Sequence, residues 1–274
     1  MKLQVMTYNI ASGRCYKNDC DITQEGSAPV DLSQCADVIR RVDPDLCGLN
    51  EINVYLQSYL DTNRLTKTAT DQPRYLADAT GLPYRFFGEA TSWDGRGAYG
   101  NAVISKYPVL DAESVPIPNP KFYDEPGKYY EPRGIAKVKL DIAGGITILQ
   151  VHVGLAVSES QNAVVTLCKL IDEAQGPVIL MGDFNMCPDN FLLDRIRQRL
   201  TEVTPKGEGY VHSFPSWTHE SDVPPAQKIC PYCKIDYIFV SKHFTPVTCE
   251  VLKERASDHM PMVATLEFDP EVSK

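Results

Sequence analysis

Residues 178–190 read VILMGDFNMCPDN. Val178, Ile179, Leu180 and Met181 form the short apolar run expected of a buried strand. At Gly182 the missing Cβ lets the backbone turn. Asp183 and Asn185 stand one residue apart just beyond it, and Pro188 and Asp189 open the next helix. A carboxylate and a carboxamide at the end of a rigid strand can hold and deprotonate a water molecule. The same four residues also suit an ordinary polar turn between strand and helix, so the rest of the chain has to decide. Four other polar clusters recur at strand ends.

Residues 2–10, KLQVMTYNI, make a first strand with Asn9 near its end, before the turn Ala11-Ser12-Gly13. Residues 46–49 make a second buried strand, with Asn50 and Glu51 at its end. Glu51 reads either as a solvated edge charge or as a metal ligand, since hard cations select carboxylate oxygens. Residues 84–87 are a strand, 93–100 a Gly-rich loop lacking the Lys-Ser/Thr of a phosphate-binding P-loop, and Gly100-Asn101 opens the strand 102–105. Residues 116–132, rich in Pro and Tyr, form a long surface loop ending at Glu131, Pro132 and Arg133. Strands 135–142 and 146–153 are a hairpin joined by Gly144-Gly145. His152 lies near the hairpin's end, where a lone His is more often a satisfied core residue than a catalytic one. Asp236 starts the strand 235–240, and the triplet Ser257-Asp258-His259 precedes a closing strand, 262–268.

Helices fall between these strands. Asp31 caps one, with Gln34 as in a capping box, and Leu32, Cys35, Ile39 and Val42 share a face. Asp71 caps a second, stopped by Gly81. Ser158 to Gln161 reads as a capping box for a third, whose apolar face is Ala163, Leu167, Leu170, Ile171 and Ala174. A basic amphipathic helix follows Asp189. Strands alternating with helices, plus hairpins, give a mixed sheet layered with helices. In open α/β sheets the crevice at strand ends is where ligands bind.

The 274 residues are 43% hydrophobic and show no compositional break, so a single domain over 1–270 with a short tail at 271–274 is expected. No apolar run approaches the ~20 residues of a membrane span. Met1 runs straight into a strand pattern rather than a signal peptide, so a cytoplasmic location is expected, and a monomer is expected too. With 27 Lys and Arg against 36 Asp and Glu, a net charge of -9 argues against coating nucleic acid by bulk charge and leaves a local basic groove open. Nine cysteines are an odd number, expected as free thiols rather than a disulfide framework. Cys230-Pro-Tyr-Cys233 has redox-dithiol spacing but precedes a strand, so two unrelated thiols are the plainer reading. The sharper one joins Cys15, Cys20, Cys230 and Cys233 in a four-sulfur zinc site at the rim of the active site.

Taken in order, TYNI with Asn9, LNE with Glu51, GNAVISKYPV with Asn101, VHVG with His152, GDFN with Asp183 and Asn185, KIDYIFV with Asp236, and SDH with Asp258 and His259 resemble the endonuclease/exonuclease/phosphatase superfamily over essentially the whole chain. The resemblance implies a four-layer α/β sandwich, two mixed β-sheets packed together and flanked by helices. It also implies hydrolysis of phosphate esters with Mg²⁺ or Mn²⁺. Asn50 stands where that family commonly has Gln, and Val-Gly-Leu after His152 resembles bacterial members of unassigned substrate.

The chemistry agrees with this, because an anionic ester needs a cation on its phosphoryl oxygens, an aligned water and donors for developing charge. Glu51, with Asn9 and Asp258, is the expected metal set. Asp183 is the expected base, and Asn185 orients the water or a phosphate oxygen. His259, fixed by Asp236, is expected to hydrogen-bond the phosphoryl group, and His152 to stabilise transition-state charge. Arg133 is expected to grip phosphate as a fork, with Asn101 on the substrate side. The aromatic and Pro/Gly-rich loops suit a compact ester: a small molecule, a lipid headgroup or single-stranded nucleic acid. The alternatives are a catalytically silent phosphate-ligand binding protein on the same scaffold and a DNA-repair-type endonuclease.

Overall fold

In the first strand, β1 (Lys2–Asn9), alternate residues serve two different cores. Leu3 and Val5 point into a cluster shared with Val138, Ile148, Met181 and Ile238, whereas Met6 and Tyr8 join Leu32, Ile39 and Leu76. A strand that is apolar on both faces has to be covered on both faces, and the chain is organised accordingly. The computed structural model describes residues 1–16, 29–63, 70–121, 130–205, 211–216 and 232–272.

The further strands are β2 (Leu46–Tyr55), β3 (Tyr84–Trp93), β4 (Gly97–Ser105), β5 (Val109–Ile117), β6 (Arg133–Leu140), β7 (Ile146–His152), β8 (Val178–Asp183), β9 (Thr201–Glu202), β10 (Asp236–Val240), β11 (Phe244–Val251) and β12 (Met262–Phe268). The helices are α1 (Leu32–Val42), α2 (Gln57–Asn63), α3 (Gln72–Thr80), α4 (Val157–Glu173) and α5 (Leu192–Arg197). Among the described residues the strands form two mixed sheets of six, ordered β11-β12-β1-β2-β4-β3 and β5-β6-β7-β8-β10-β9. The inner faces of both sheets make one core, to which β1, β7, β8 and β10 all contribute. α1 and α3 cover the outer face of the first sheet, and α4 and α5 that of the second. This is the four-layer sandwich expected from the motifs. Each fully buried large aliphatic side chain stabilises it by ~1.5–3 kcal/mol.

The helix starts follow their sequence signals with one exception. Asp31 accepts the Ser33 N–H at 3.0 Å, and Asp71 accepts the Arg74 N–H at 2.9 Å. Gly81 ends α3 at φ 74°. α4 instead begins at Val157, so the expected box at Ser158 to Gln161 is displaced. Glu159 reaches back to the Ala156 N–H at 3.0 Å, while alanine has no side-chain acceptor with which to complete a box. The expected Gly-rich loop at 93–100 is a second correction. β3 runs through Trp93 and β4 begins at Gly97, so only a tight turn separates them. Gly100 belongs to the strand because a Cβ there would collide with the Gly88 carbonyl on β3.

Candidate active site

The inner faces of both sheets are apolar along most of their length and turn polar at one end. Strand register explains why. Asn9 is the cross-strand neighbour of Asn50, His152 of Asp183, and Asp183 of Asp236. With a side-chain period of two, Asn9 follows Val5, Asp183 follows Ile179 and Met181, and Asp236 precedes Ile238 and Val240 on the same inward faces. Polar groups scattered over more than two hundred residues thereby meet.

Asp183 is at the centre. One carboxylate oxygen accepts the Asn185 N–H at 2.9 Å, and the other accepts Asn9 Nδ2 at 3.0 Å. That second oxygen also faces His152 Nε2 at 3.4 Å and His259 Nε2 at 3.6 Å. Burial pushes Asp183 up to about 7, helped by Asp236 and opposed by His259. On the far side of its ring, His259 Nδ1 lies 2.9 Å from Asp236 Oδ2. Burial alone would lower the His259 pKa, but Asp236 and Asp183 outweigh it and raise it to about 10. His259 is therefore a cation at neutral pH. Phe214 packs on its ring at 4.9 Å between centroids.

His152 has the opposite character. Burial, then Arg133 and His259, hold it well below the usual imidazole range, so its ring is neutral. Arg133 Nη1 lies 2.8 Å from His152 Nδ1. A guanidinium can only donate, so the ring proton sits on Nε2, the atom facing Asp183. Arg133 is also tied to Glu131 at 2.9 Å, and its buried Nε has no hydrogen-bond partner among the described residues.

Glu51 arrives by a bulge. β2 continues to Tyr55 rather than ending at residue 50, and its pairing with β4 slips between Leu49 and Ile52. Glu51 sits in the slip at φ 58°, and Asn185 is likewise left-handed at φ 49°. Non-glycine residues in that region cost on the order of 1–3 kcal/mol each and concentrate at functional sites. Asn9 Nδ2 donates to Glu51 Oε1 at 3.2 Å, while its oxygen accepts the Ala11 N–H at 3.0 Å. Asp258, whose Oδ1 accepts Ser257 Oγ at 3.2 Å, lines the cleft beside Glu51. Burial and then Asp258 raise the Glu51 pKa.

Two buried amides stand behind this layer. Asn50 Nδ2 donates to Asn101 Oδ1 and to the Val151 carbonyl, both at 2.8 Å. Asn50 Oδ1 accepts Gln150 Nε2 at 2.9 Å and the Asp183 N–H at 3.1 Å. Asn101 passes the chain on to the Gly134 carbonyl at 2.8 Å. Asn101 is thus 2% exposed and part of the link between the sheets. It does not line the cleft, which corrects its expected place on the substrate side.

The cleft encloses about 590 Å³. Glu51, Arg133, His152, Asp183, Asn185, Asp258 and His259 line it, so the structure brings these expected residues to one surface. Asn9 and Asp236 lie just behind. The sequence reading missed Arg14, Trp93, Arg96, Tyr99 and Phe214 on its walls. The spacing of Trp93, Arg96 and Tyr99 was a signal available for three of them.

The zinc expectation fails. Cys233 is joined to Cys187 in a disulfide and offers no free thiolate. The pairing of Asp183 with Asp236 explains the link, because Cys187 and Cys233 follow and precede those partners by a few residues. Cys15 is a buried free thiol, and Cys20 and Cys230 lie outside the described residues. The expectation of free thiols throughout is corrected by the same bond, though Cys15, Cys35, Cys47, Cys168 and Cys249 are free.

A two-sheet α/β sandwich carrying a carboxylate, imidazole and amide cluster at the shared end of both sheets defines the class. The chain belongs to the endonuclease/exonuclease/phosphatase family, whose model matches residues 6–259. Members of that superfamily are mostly phosphoester hydrolases. No curated protein matches the sequence. Similar solved structures include an endonuclease/exonuclease/phosphatase from Beutenbergia cavernae, 24% identical with a TM-score of 0.71, covering 99% of this chain and 73% of that one. A mannosyl-6-phosphatase from Bacteroides thetaiotaomicron is 17% identical with a TM-score of 0.65, covering 97% and 100%. D. rerio TDP2 complexed with single strand DNA product is 16% identical with a TM-score of 0.61, covering 97% and 99%. Among the described residues no helix is long and apolar enough to cross a membrane.

Proposed function

We propose that the protein hydrolyses phosphate esters with a divalent metal, Mg²⁺ or Mn²⁺. The observation that carries this is the convergence of buried groups on one carboxylate: Asp183 accepts Asn9 Nδ2 at 3.0 Å and faces His152 Nε2 at 3.4 Å and His259 Nε2 at 3.6 Å, while His259 Nδ1 is held by Asp236 at 2.9 Å. Carboxylates and imidazoles in different environments within reach of one another suit acid and base roles.

The donor chemistry fits a hard cation. Glu51 and Asp258 present carboxylates to one wall of the cleft, and their repulsion contributes to the raised Glu51 pKa. Asn9 touches Glu51 and its carbonyl oxygen keeps a second lone pair. These three would hold the ion. Asp183, Asp236 and His259 also bring potential ligand atoms within 4.8 Å of one another. His259 Nδ1 is committed to Asp236 at 2.9 Å, however, so that cluster reads as a proton-handling group. When bound, the metal supplies positive charge to the phosphoryl oxygens and lowers the pKa of a water.

The chain's own residues do the rest. Asp183 takes the proton from the attacking water, held in place by Asn9 and the Asn185 N–H. Asn185, fixed through Nδ2 to the Val153 carbonyl at 2.9 Å, orients the water or a phosphoryl oxygen. His259 donates to the phosphoryl oxygen as a cation, kept charged and oriented by Asp236. His152 offers its Nε2 proton to charge developing beside Asp183, and Arg133 holds its ring while facing the cleft as a cation.

The substrate reading is a compact or single-stranded phosphate ester. A cleft of about 590 Å³ walled by Trp93, Leu155 and Phe214 suits one, and the neighbours named for a sugar phosphatase and for a single-strand DNA complex are consistent with that range. The test is a screen of phosphomonoesters and phosphodiesters with Mg²⁺ and Mn²⁺, run in parallel on Asp183→Asn. That variant keeps size and hydrogen bonding, and its rate should fall by ~10²-fold or more. Equal turnover by the wild type and Asp183→Asn would refute the assignment.

A further inference from the structure

Three arginines line the cleft, and they are not equivalent. Arg133 is committed to Glu131 and His152. Arg96 and Arg14 have no carboxylate partner among the described residues. Arg96 is instead held by aromatic rings: its guanidinium lies 4.6 Å from the Trp93 centroid, 5.8 Å from Tyr55 and 5.9 Å from Tyr59. It reaches the Asn53 amide oxygen at 3.5 Å and hydrogen-bonds the Tyr55 hydroxyl, and its buried Nε has no hydrogen-bond partner among the described residues. Arg14 lines the same cleft, with its guanidinium hydrogen-bonded to the Tyr16 hydroxyl.

Stacking on aromatic rings stabilises a guanidinium by ~0.5–2 kcal/mol and fixes its direction. It does not satisfy the planar fork of donors, and a partly desolvated cation lacking an anion is costly. A purely structural arginine would be expected to find a carboxylate or several carbonyls. This one is fixed in position with donor capacity left over, in the cleft that holds Asp183.

We infer that Arg96 and Arg14 form a second phosphate subsite, taking a phosphate group that the substrate carries in addition to the ester phosphate reacting at Asp183. The substrate class is thereby narrowed to doubly phosphorylated compact molecules: a sugar bisphosphate, or a short oligonucleotide bearing a terminal phosphate. The inference rests on the proposed hydrolase reading and deepens it.

The experiment measures kcat/KM with Mg²⁺ on two matched pairs: a hexose bisphosphate against the hexose monophosphate, and a thymidine dinucleotide with and without a 5′-phosphate. The wild type should prefer the doubly phosphorylated member of one pair, and the responding pair identifies the source. Arg96→Gln and Arg14→Gln should each reduce that preference about tenfold, mainly through KM, the scale of one hydrogen bond to a charged group. Arg96→Lys should restore part of it. If the preference is the same in the wild type and both Gln variants, the subsite is wrong while the hydrolase reading stands. If the wild type hydrolyses neither pair, the hydrolase reading is in question and the subsite is read by calorimetry with inorganic pyrophosphate and metal-free protein. Binding at least about tenfold weaker in Arg96→Gln supports the subsite, and equal binding overturns it. Should Arg96→Gln fail to fold, Arg14→Gln, which leaves the aromatic cage intact, gives the same readings.

Discussion

Replacing Asn50 by Ala removes a side chain whose two polar atoms make four hydrogen bonds, to Asn101, Val151, Gln150 and Asp183. Two of those partners, Asn101 and Gln150, are side chains that can reorient. The other two, the Val151 carbonyl and the Asp183 N–H, are backbone groups fixed in their strands. A buried group left unsatisfied costs ~1–3 kcal/mol, so the two fixed groups set a floor of ~2 kcal/mol. The volume vacated at a fully buried position adds to it, and the expected loss is about 3–5 kcal/mol. Urea unfolding of the wild type and Asn50→Ala, compared at equal m-value, measures this. Asn190→Ala, which removes an acceptor for the Leu192 N–H near the surface, is the control and should cost ~1 kcal/mol. The rate should also fall, because Asp183 loses the donor-acceptor pair that fixes its backbone. A loss below about 1 kcal/mol for Asn50→Ala would show that the amide is not what holds the two sheets together at this end.

His259 is raised to about 10 from an ordinary 6.5, so its contribution to stability is complete below about 6.5 and is lost as pH rises through about 10. Unfolding of chelated protein should show stability declining across that window, with a flatter profile in His259→Gln. A wild-type profile that rises there would contradict the protonated assignment. Glu51→Gln should raise the Mg²⁺ concentration needed for half-maximal activity by ~10-fold or more, with activity recovered in excess metal, and an unchanged metal titration would remove Glu51 from the ligand set. Gly182→Ala should cost at least ~2 kcal/mol and most of the activity, since a Cβ there meets the Val151 carbonyl at a φ of 142°. Wild-type stability in that variant would mean the strand end is more yielding than its backbone contact implies.

The centre of the site was readable because apolar runs ended in polar residues, and a period of two carries that ending to one face. The rule places Asp183, His152 and Asn9 at strand ends and Asp236 at a strand start; His152 by itself reads as a core histidine, and the resemblance over the whole chain is what singles the set out. Glu51 does not follow from the rule, since Asn50-Glu51 reads as a strand terminus whereas the strand continues through a bulge. A slip in register leaves no mark in a single strand's sequence, being a property of the pair. The turn between β3 and β4 was hidden for a related reason. Glycines that read as loop residues are there because another backbone passes close by. The Cys187–Cys233 bond, between residues 46 apart in sequence, required knowing that β8 pairs with β10. Arg96 was passed over because its ring partners come from three places, Tyr55, Tyr59 and Trp93, and only the last is a near neighbour in the chain.

β12 lies between β11 and β1, so the N-terminal sheet is joined by strands from the far end of the chain. During synthesis β1 has β2 on one side and nothing on the other until residue 262 has emerged. An uncovered apolar strand edge invites pairing with the wrong partner, and contacts this distant in sequence form slowly. Asn9 and His259 belong to the earliest and latest parts of that process. The complete cleft is consequently assembled last, and the appearance of the proposed activity during refolding would time the closure of the sheet rather than the collapse of either core.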